Sequence, residues 1–528
     1  DYNGSLQCVV EKNNIKLMSI LDECKLESVI SLKGIIKLRD TENVNNKISS
    51  GNIEMIVEEI EIINKAKDLP FALHQENLSE ELQMQYRFLY LRKPEMQHIL
   101  KTRADVIDNL RSFMKKQDFL EIQTPLLANS SDEGARDYVV PSRLHPNKFF
   151  ALPQAPQQFK QLLMASGVEK YFQVAPCFRD EDPRADRLVG EFYQLDFEQA
   201  FATEKDILTI LEDVLLSLFK SFYPNLKQTK FESFSYLEAM EKFGSDKPDL
   251  RNPLFCIPLN IDQAPGMFKE KMKLNSKLKI TTLSCYIENM SNGYYNKLLD
   301  LIKQNKGTGL AYCSLKNNEW TGPLSKMLSK DTIEHLTSNS FDKNCNVCFL
   351  IADERAYELS GILREFIGKH LIDENDYKFC FIKDFPMFEQ KDGKYIFTHN
   401  PFSMPKNIKD LPENIIASQY DVVCNGYEIC SGAVRNHKIE NIQEIFKIVL
   451  EREMTIKELE DKFPVFKSFS YGIPPHAGAA LGIDRIIMLI AKQKNVRDIV
   501  AFPLNQNGQN LLINSPSFID DKLKKELN

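Results

Sequence analysis

Read as an extended strand, EFYQLDFE sends alternate side chains to opposite faces. Phe192, Gln194 and Asp196 then point one way, and Tyr193, Leu195 and Phe197 the other. The second set is a core face. The first sets an aromatic ring beside an amide and a carboxylate. Just upstream, FRDEDPRADR, from Phe178 to Arg187, is dominated by charge, and on this preceding strand Arg179 and Glu181 lie two apart and share a face. Paired as a hairpin, the two segments present a guanidinium, a carboxylate, a ring and an amide on one surface. A guanidinium grips phosphate oxygens in bidentate fashion, a carboxylate accepts from an exocyclic amine, and a ring stacks on a base. This is nucleotide chemistry built on a sheet, without a Gly-rich phosphate loop. Composition alone favours the alternative, a solvated charged turn.

Two further stretches carry similar potential. In YDVVCNGYEICSGAVR, the acids Asp421 and Glu428 stand in strands flanking a turn at Asn425-Gly426, with Arg435 further along. Carboxylates buried in strands need a partner or a cation, and two oxygen ligands with few others suit Mg2+ shared with phosphates. Two surface acids is the competing reading. In HAGAALGIDRIIMLI, small residues run up to Gly482 before Ile-Asp-Arg enters an apolar helix, placing Arg485 near a helix start where backbone can approach a ligand closely. A helix-start arginine taken alone is more often a surface residue.

The elements that must position these residues divide the chain. Residues 1–68 alternate in short runs, with Ile53, Met55 and Val57 on one face, as in a small antiparallel barrel of the kind that binds single-stranded nucleic acid. DYNGSLQCVV opens on an Asn-Gly turn followed at once by a strand pattern, as though a hairpin were entered halfway, so a preceding segment is expected. Residues 69–92 form a connector. From Pro94 to about Lys116, Leu100, Ala104, Ile107, Leu110 and Met114 make an apolar stripe at helical spacing. Residues 93–250 and 373–528 read as two parts of one catalytic unit, separated by an inserted α+β module over 251–372.

The 528 residues carry a formal net charge of -7, which gives no general attraction for nucleic acid, so an RNA partner must be held by local basic patches. Eleven Cys are scattered without paired spacing, and no apolar run is long enough to span a bilayer, which favours a reducing, aqueous compartment. The one cluster, Cys345-Asn-Val-Cys348, runs into FLIA and reads as strand cysteines in preference to zinc ligands.

DFLEIQTPLL, then FRDED with EFYQLD, then GIDR resemble, in this order, the three motifs of class II aminoacyl-tRNA synthetases. SDEGARDY, QAPQQFKQLLMASG, YLEAMEKFGSDKPDLR and HNPFS are similar to the bacterial-type aspartyl group, and GLAYCSLKNNEWTGPLSKML to its inserted domain. The resemblance covers nearly the whole chain. It implies an α+β multidomain protein with a truncated N-terminal OB-type β-barrel, a catalytic domain on an antiparallel β-sheet flanked by helices, an inserted α+β domain, and Pro125 at a homodimer interface.

The resemblance also implies roles. Arg179 holds the ATP α-phosphate and the activated carboxylate, Glu181 the adenine amino group, Phe192 the adenine face and Arg485 the γ-phosphate, while Asp421 and Glu428 hold Mg2+. Lys160, three residues from Gln157 on one helical face, pairs with Arg435 on the side-chain carboxylate of L-aspartate. Asp196, Glu133 in a loop expected to close over the site, and His399 complete the amino-acid end. Gln7, Lys37, Arg39 and Glu54 match positions that contact the anticodon. The implied reaction is activation of aspartate with ATP, then transfer to tRNA(Asp), with tRNA(Asn) left open as a second acceptor. No membrane is involved, and the compartment is the cytoplasm or, if a transit peptide has been removed, a eukaryotic organelle.

Some positions depart from the pattern: His399-Asn400 stands for two consecutive His, Cys430-Ser431-Gly432-Ala433 for a Gly-rich run, Ala155 for a Ser, and Leu188-Val189-Gly190 for a shorter loop. None removes a phosphate or metal ligand. An asparaginyl or lysyl relative is disfavoured by Lys160 with Arg435. A catalytically dead RNA-binding paralogue is the reading from another class, which the departures near Asn400 and Cys430 keep in play.

Overall fold

A dense row of buried apolar residues, Ile207, Leu211, Val214, Leu215, Leu218 and Phe219, makes Glu204–Phe222 a helix with one inward face, and a Thr203/Asp206 capping box starts it. Phe219 meets Phe379 edge to face at 4.9 Å, and Phe231 stacks on Phe379 at 4.8 Å, so this helix seats on the back of the sheet that contains Phe379. The computed structural model describes residues 4–130, 134–342, 344–522 and 524. It divides into two compact units, Asp1–Pro94 and Glu95–Asn528.

In the first unit, Gln7–Val9 runs parallel to Ile53–Asn64, which pairs antiparallel with Val29–Leu38. Three strands do not close a barrel, and the described part is an open, strongly bulged sheet, consistent with part of an OB-type unit. Helix Ile15–Asp22 buries Leu17, and the strand Ile53–Asn64 buries Val57.

The second unit is built on an eight-stranded sheet. Its order is Leu120–Glu121, Lys170–Arg179, Gly190–Ala200, His476–Gly482, Tyr427–Val434, Gln419–Cys424, Phe379–Lys383 and Glu232–Ser235. The two outermost pairings are parallel and the others antiparallel. Phe172, Leu195, Phe197, Ala479, Leu481 and Val422 form the fully buried back face. A separate five-stranded antiparallel sheet, ordered Cys256–Pro258, Lys279–Cys285, Val347–Asp353, Ala311–Lys316 and Glu319–Thr321, has its own core around Leu283, Leu298, Phe349 and Leu359. Cys348 lies within one of its strands and Cys345 just before it.

The helix Pro94–Lys116 forms as its periodicity predicts, but its buried row is Met96, Ile99, Thr102, Val106, Leu110 and Met114. Leu100 and Ile107 are half-buried and Ala104 is exposed. Two apolar stripes share Leu110 and Met114, and periodicity cannot say which of them faces inward. No described helix is long and apolar enough to cross a membrane.

Candidate active site

The hairpin pairs Arg179 with Gly190, Cys177 with Phe192 and Gln173 with Asp196, and the next strand sets Ala480 opposite Asp196 and Gly478 opposite Glu198. Directly opposed residues share a face. Arg179, Phe192, Gln194, Asp196 and Glu198 therefore form one row on the front of the sheet, with small residues beside them that leave room. The Arg179 guanidinium lies 5.0 Å from the centre of the Phe192 ring. Glu181 departs from expectation: the strand ends at Arg179, Asp180 forms an isolated bridge with Arg136, and Glu181 lies in the loop that follows. The charge run breaks the ladder, because its side chains find partners within the loop.

Two charged partners reach this face from elsewhere. Helix Gln157–Ala165, ended by Gly167 at φ +84°, buries Gln157 and Lys160 on one side. Lys160 Nζ lies 2.7 Å from Asp196 Oδ1 and 3.2 Å from Glu198 Oε2. Arg435 donates from Nε to Glu198 Oε1 at 2.8 Å and from Nη2 to the Gly478 carbonyl at 3.3 Å. All four side chains are at most 4% exposed. They form a dry quartet of two cations and two anions. Glu198, which sequence reasoning left unassigned, closes it, although the parity that selected Phe192, Gln194 and Asp196 reaches it at the next step. A Cβ on Gly478 would come within 2.1 Å of the Glu198 carboxylate, so the close approach of strand and side chain requires glycine there.

The electrostatics follow from burial and pairing. Burial raises the Glu198 carboxyl, but the Arg435 guanidinium and the Lys160 ammonium outweigh it and hold it at about 2. Burial raises the Asp196 carboxyl, opposed by Lys160. Burial pushes the His476 imidazole down, with Glu198 opposing; its ring lies 3.1 Å from the Gln161 amide. Gln157 Nε2, buried beside this quartet's lysine on the same helix, has no hydrogen-bond partner.

At the other end of the row, the loop after Arg179 carries two further ion pairs. Arg187 pairs with Glu181, and Asp186 accepts from Arg485 through its backbone oxygen at 3.1 Å and its carboxylate at 3.0 Å. Arg485 also donates to the Glu428 carbonyl at 2.6 Å. It sits in the first turn of helix Ile483–Ile490 as expected. Asp484 anchors that turn by accepting from the Tyr193 backbone N–H at 2.8 Å and from Arg103 at 2.6 Å. Arg179 forms no ion pair among the described residues.

Asp421 and Glu428 stand either side of the Asn425-Gly426 turn, where φ is 52° and 86°. Arg435 follows Glu428 at an offset of seven positions, an odd number that sends them to opposite faces in a regular strand. A register shift between Val422 and Val423 leaves Ile429 unopposed, so that Glu428 pairs with Val423 while Ser431 pairs with Asp421. The bulge brings Glu428 and Arg435 to the same cleft. Burial, then the Glu428 carboxylate, raises the Asp421 carboxyl well above the usual range, and its Oδ1 lacks a partner. Burial pushes His399 below the ordinary imidazole value, with Glu428 opposing.

A cleft of about 320 Å³ collects Gln157, Lys160, Arg179, Glu181, Phe192, Asp196, His399, Glu428, Arg435 and Arg485 along its walls. Glu133 lies outside the described residues. Gln7, Lys37, Arg39 and Glu54 belong to the first unit, where Glu54 opposes both Gln7 and Lys37 in register, accepts from Gln7 Nε2 at 3.4 Å and lies 3.6 Å from Arg39 Nε. Of the departures, Asn400 accepts from the Phe402 N–H at 2.8 Å, and Cys430 is buried.

Comparison with known proteins bears directly on this arrangement. Residues 79–506 match the family of tRNA synthetases class II (D, K and N). The chain is 42% identical to an aspartate–tRNA(Asp/Asn) ligase of Pelagibacter ubique, over 100% of this chain and 92% of that protein. It is 41% identical to the ligase of the same name from Ehrlichia ruminantium, over 99% and 91%. Among solved structures, the asparaginyl-tRNA synthetase of Pyrococcus horikoshii complexed with asparaginyl-adenylate superposes with a TM-score of 0.56 at 19% identity, over 95% of this chain and 89% of that one. The aspartyl-tRNA synthetase of Entamoeba histolytica gives 0.54 at 20%, over 94% and 82%. These structural likenesses speak for the fold.

Proposed function

The chain belongs to the class II tRNA synthetases (D, K and N), and we propose that it is an aspartate–tRNA ligase that activates L-aspartate with ATP and transfers it to tRNA(Asp) and, as the name of its relatives, aspartate–tRNA(Asp/Asn) ligase, indicates for them, to tRNA(Asn). The observation that carries this reading is the buried quartet at one end of a cleft whose other end presents Arg179 over Phe192. L-aspartate brings its side-chain carboxylate to Lys160 and Arg435 and its α-ammonium to Asp196, so the charge balance of the dry quartet is kept. With the neutral amide of asparagine the α-ammonium enters with no side-chain charge to offset it, so the pocket favours aspartate over asparagine.

The aspartate α-carboxylate, ionised at neutral pH with a reference pKa of about 3.5, attacks the α-phosphorus in line, and pyrophosphate leaves. No general base is needed. Arg179, without a carboxylate partner among the described residues, is free to grip the α-phosphate and the attacking carboxylate together. Arg485 exchanges Asp186 for a terminal phosphate, and Glu181 exchanges Arg187 for the adenine amine. Gln157, with its unpartnered buried amide, orients the amino acid. The rate gain comes from positioning and preorganised charge. The unpartnered Asp421 Oδ1 and the nearby Glu428 fit a hard divalent cation, and these two residues would hold Mg2+. When bound, Mg2+ would neutralise charge on the phosphates. The terminal ribose hydroxyl of the tRNA next attacks the aspartyl-adenylate, releasing AMP.

We assign Gln7, Lys37, Arg39 and Glu54 to anticodon contact, supported by their gathering across adjacent strands of one small sheet. Residues 251–372 are assigned as the inserted domain, supported by the separate five-stranded sheet and its own core. A homodimer is supported by the apolar Leu126 and Leu127, 43% and 53% exposed next to Pro125. The reaction belongs in an aqueous compartment that holds ATP and tRNA, the cytoplasm of a bacterial-type cell.

The test is exchange of labelled pyrophosphate into ATP, with aspartate, asparagine and lysine compared. Exchange with aspartate alone is the expected result. Exchange driven equally by asparagine removes the charge argument, and none with any of the three removes the synthetase reading.

A further inference from the structure

Lys247 has no part in the chemistry above, yet the fold aims it at the acidic pair. Helix Tyr236–Phe243 stops at Gly244, whose φ of +68° turns the chain sharply. Gly244 packs against the helix Ala356–Gly368 so closely that a Cβ would lie 2.3 Å from the Tyr357 carbonyl and the Gly361 nitrogen. The following turn is fixed by the Lys247 N–H donating to Ser245 Oγ at 3.0 Å. The turn therefore has little freedom. It delivers the Lys247 ammonium to 2.6 Å from Asp246 Oδ2 and 3.6 Å from Glu428 Oε2.

Asp246 and Glu428 lie within ion-pair reach of this ammonium, and the charges of Lys247, Glu428 and Asp246 all act on the buried Asp421, whose Oδ1 has no partner. One ammonium stands among them. It supplies positive charge where the divalent cation of the proposed reaction would sit, and like charges at such separations compete for the same oxygens. We propose that Lys247 is a positioning residue that acts as the resident counter-ion of the Asp421–Glu428 pair, setting the affinity of this site for a free divalent cation so that the metal enters with the nucleotide. This rests on the reading of Asp421 and Glu428 as metal-holding residues. Phosphate oxygens arriving with ATP give the ammonium a new partner and free Glu428. Before that, the lysine keeps the two strands' acids from repelling one another.

The probe is Mn2+ alone, followed through the loss of its free-ion electron paramagnetic resonance signal, on the full chain without nucleotide. Lys247→Met is expected to bind one Mn2+ about tenfold more tightly than the unsubstituted protein. Lys247→Arg keeps the charge and restores weak binding. Adding Glu428→Gln to Lys247→Met abolishes the gain. A purely structural lysine would not produce this pattern. If Lys247→Met binds Mn2+ no more tightly, while Glu428→Gln still weakens binding of Mn2+ in the presence of ATP, the inference is overturned and the metal reading stands. If Glu428→Gln changes Mn2+ binding in neither condition, both fall.

Discussion

The two ends of the cleft solve the same electrostatic problem in opposite ways. At the end proposed to take the amino acid, Lys160, Asp196, Glu198 and Arg435 are buried, carried by one helix, one strand and the residue that follows a second strand, and neutralise one another. At the end proposed to take the nucleotide, Arg485 and Glu181 are partly exposed and paired with Asp186 and Arg187 of a surface loop. A desolvated charge with no partner costs several kcal/mol, so the first set must be complete before substrate arrives. The second set can hold temporary partners, because exposed pairs are worth only about 0.2–1 kcal/mol and ligand phosphates displace them readily. On the proposed function, the small amino acid is discriminated by a preformed pocket and the large nucleotide is gripped by exchange.

The comparison can be broken most severely at Arg179, the cation that belongs to neither set of pairs. Arg179→Ala should lower pyrophosphate exchange by about 10²–10³-fold with an unchanged circular dichroism spectrum. Near-normal exchange would show that the guanidinium over Phe192 does not touch the reacting phosphate. Glu198→Gln probes the preformed end. Breaking a buried pair on one side should cost about 3–5 kcal/mol, read as a fall in the urea midpoint at pH 7. Because the folded carboxyl titrates near 2 against an ordinary 4.5, Glu198 adds stability above pH 4.5 that is lost as pH falls toward 2. The gap between the two proteins should narrow below pH 4.5, and a gap that stays constant there would mean that the carboxylate charge is not what stabilises the quartet. The smallest effect belongs to the exchanging end. Asp186→Ala should lower the KM for ATP by about two- to fivefold with little change in kcat, and an unchanged KM would show that the loop pair is not a stand-in for phosphate.

Legibility in the sequence tracked regularity of backbone. The row Phe192, Gln194, Asp196 was readable because an unbroken strand alternates strictly, and the same rule continued one step finds Glu198. Arg485 was readable from the passage of small residues into an apolar helix. Glu181 was placed wrongly within a strand, since nothing in FRDEDPRADR marks where the ladder yields to the Arg187 contact. The inward face of Pro94–Lys116 was misread as well, because a helix with two apolar stripes is oriented by its neighbours.

By itself the sequence determined residue chemistry and local period: which segments alternate, where the Asn425-Gly426 turn falls, and that cations, carboxylates and a ring recur where a charged nucleotide could be held. Tertiary structure decided which of these meet. Glu428 and Arg435 lie an odd number of residues apart and share a cleft through the bulge at Ile429, Lys160 reaches Glu198 across 38 positions of chain, and Lys247 is aimed by a glycine packed against a distant helix. Alternation is a property of neighbouring dihedrals and so is written locally. Bulges, close approaches and buried ion pairs are settled by strands and helices competing for the same space and the same hydrogen bonds.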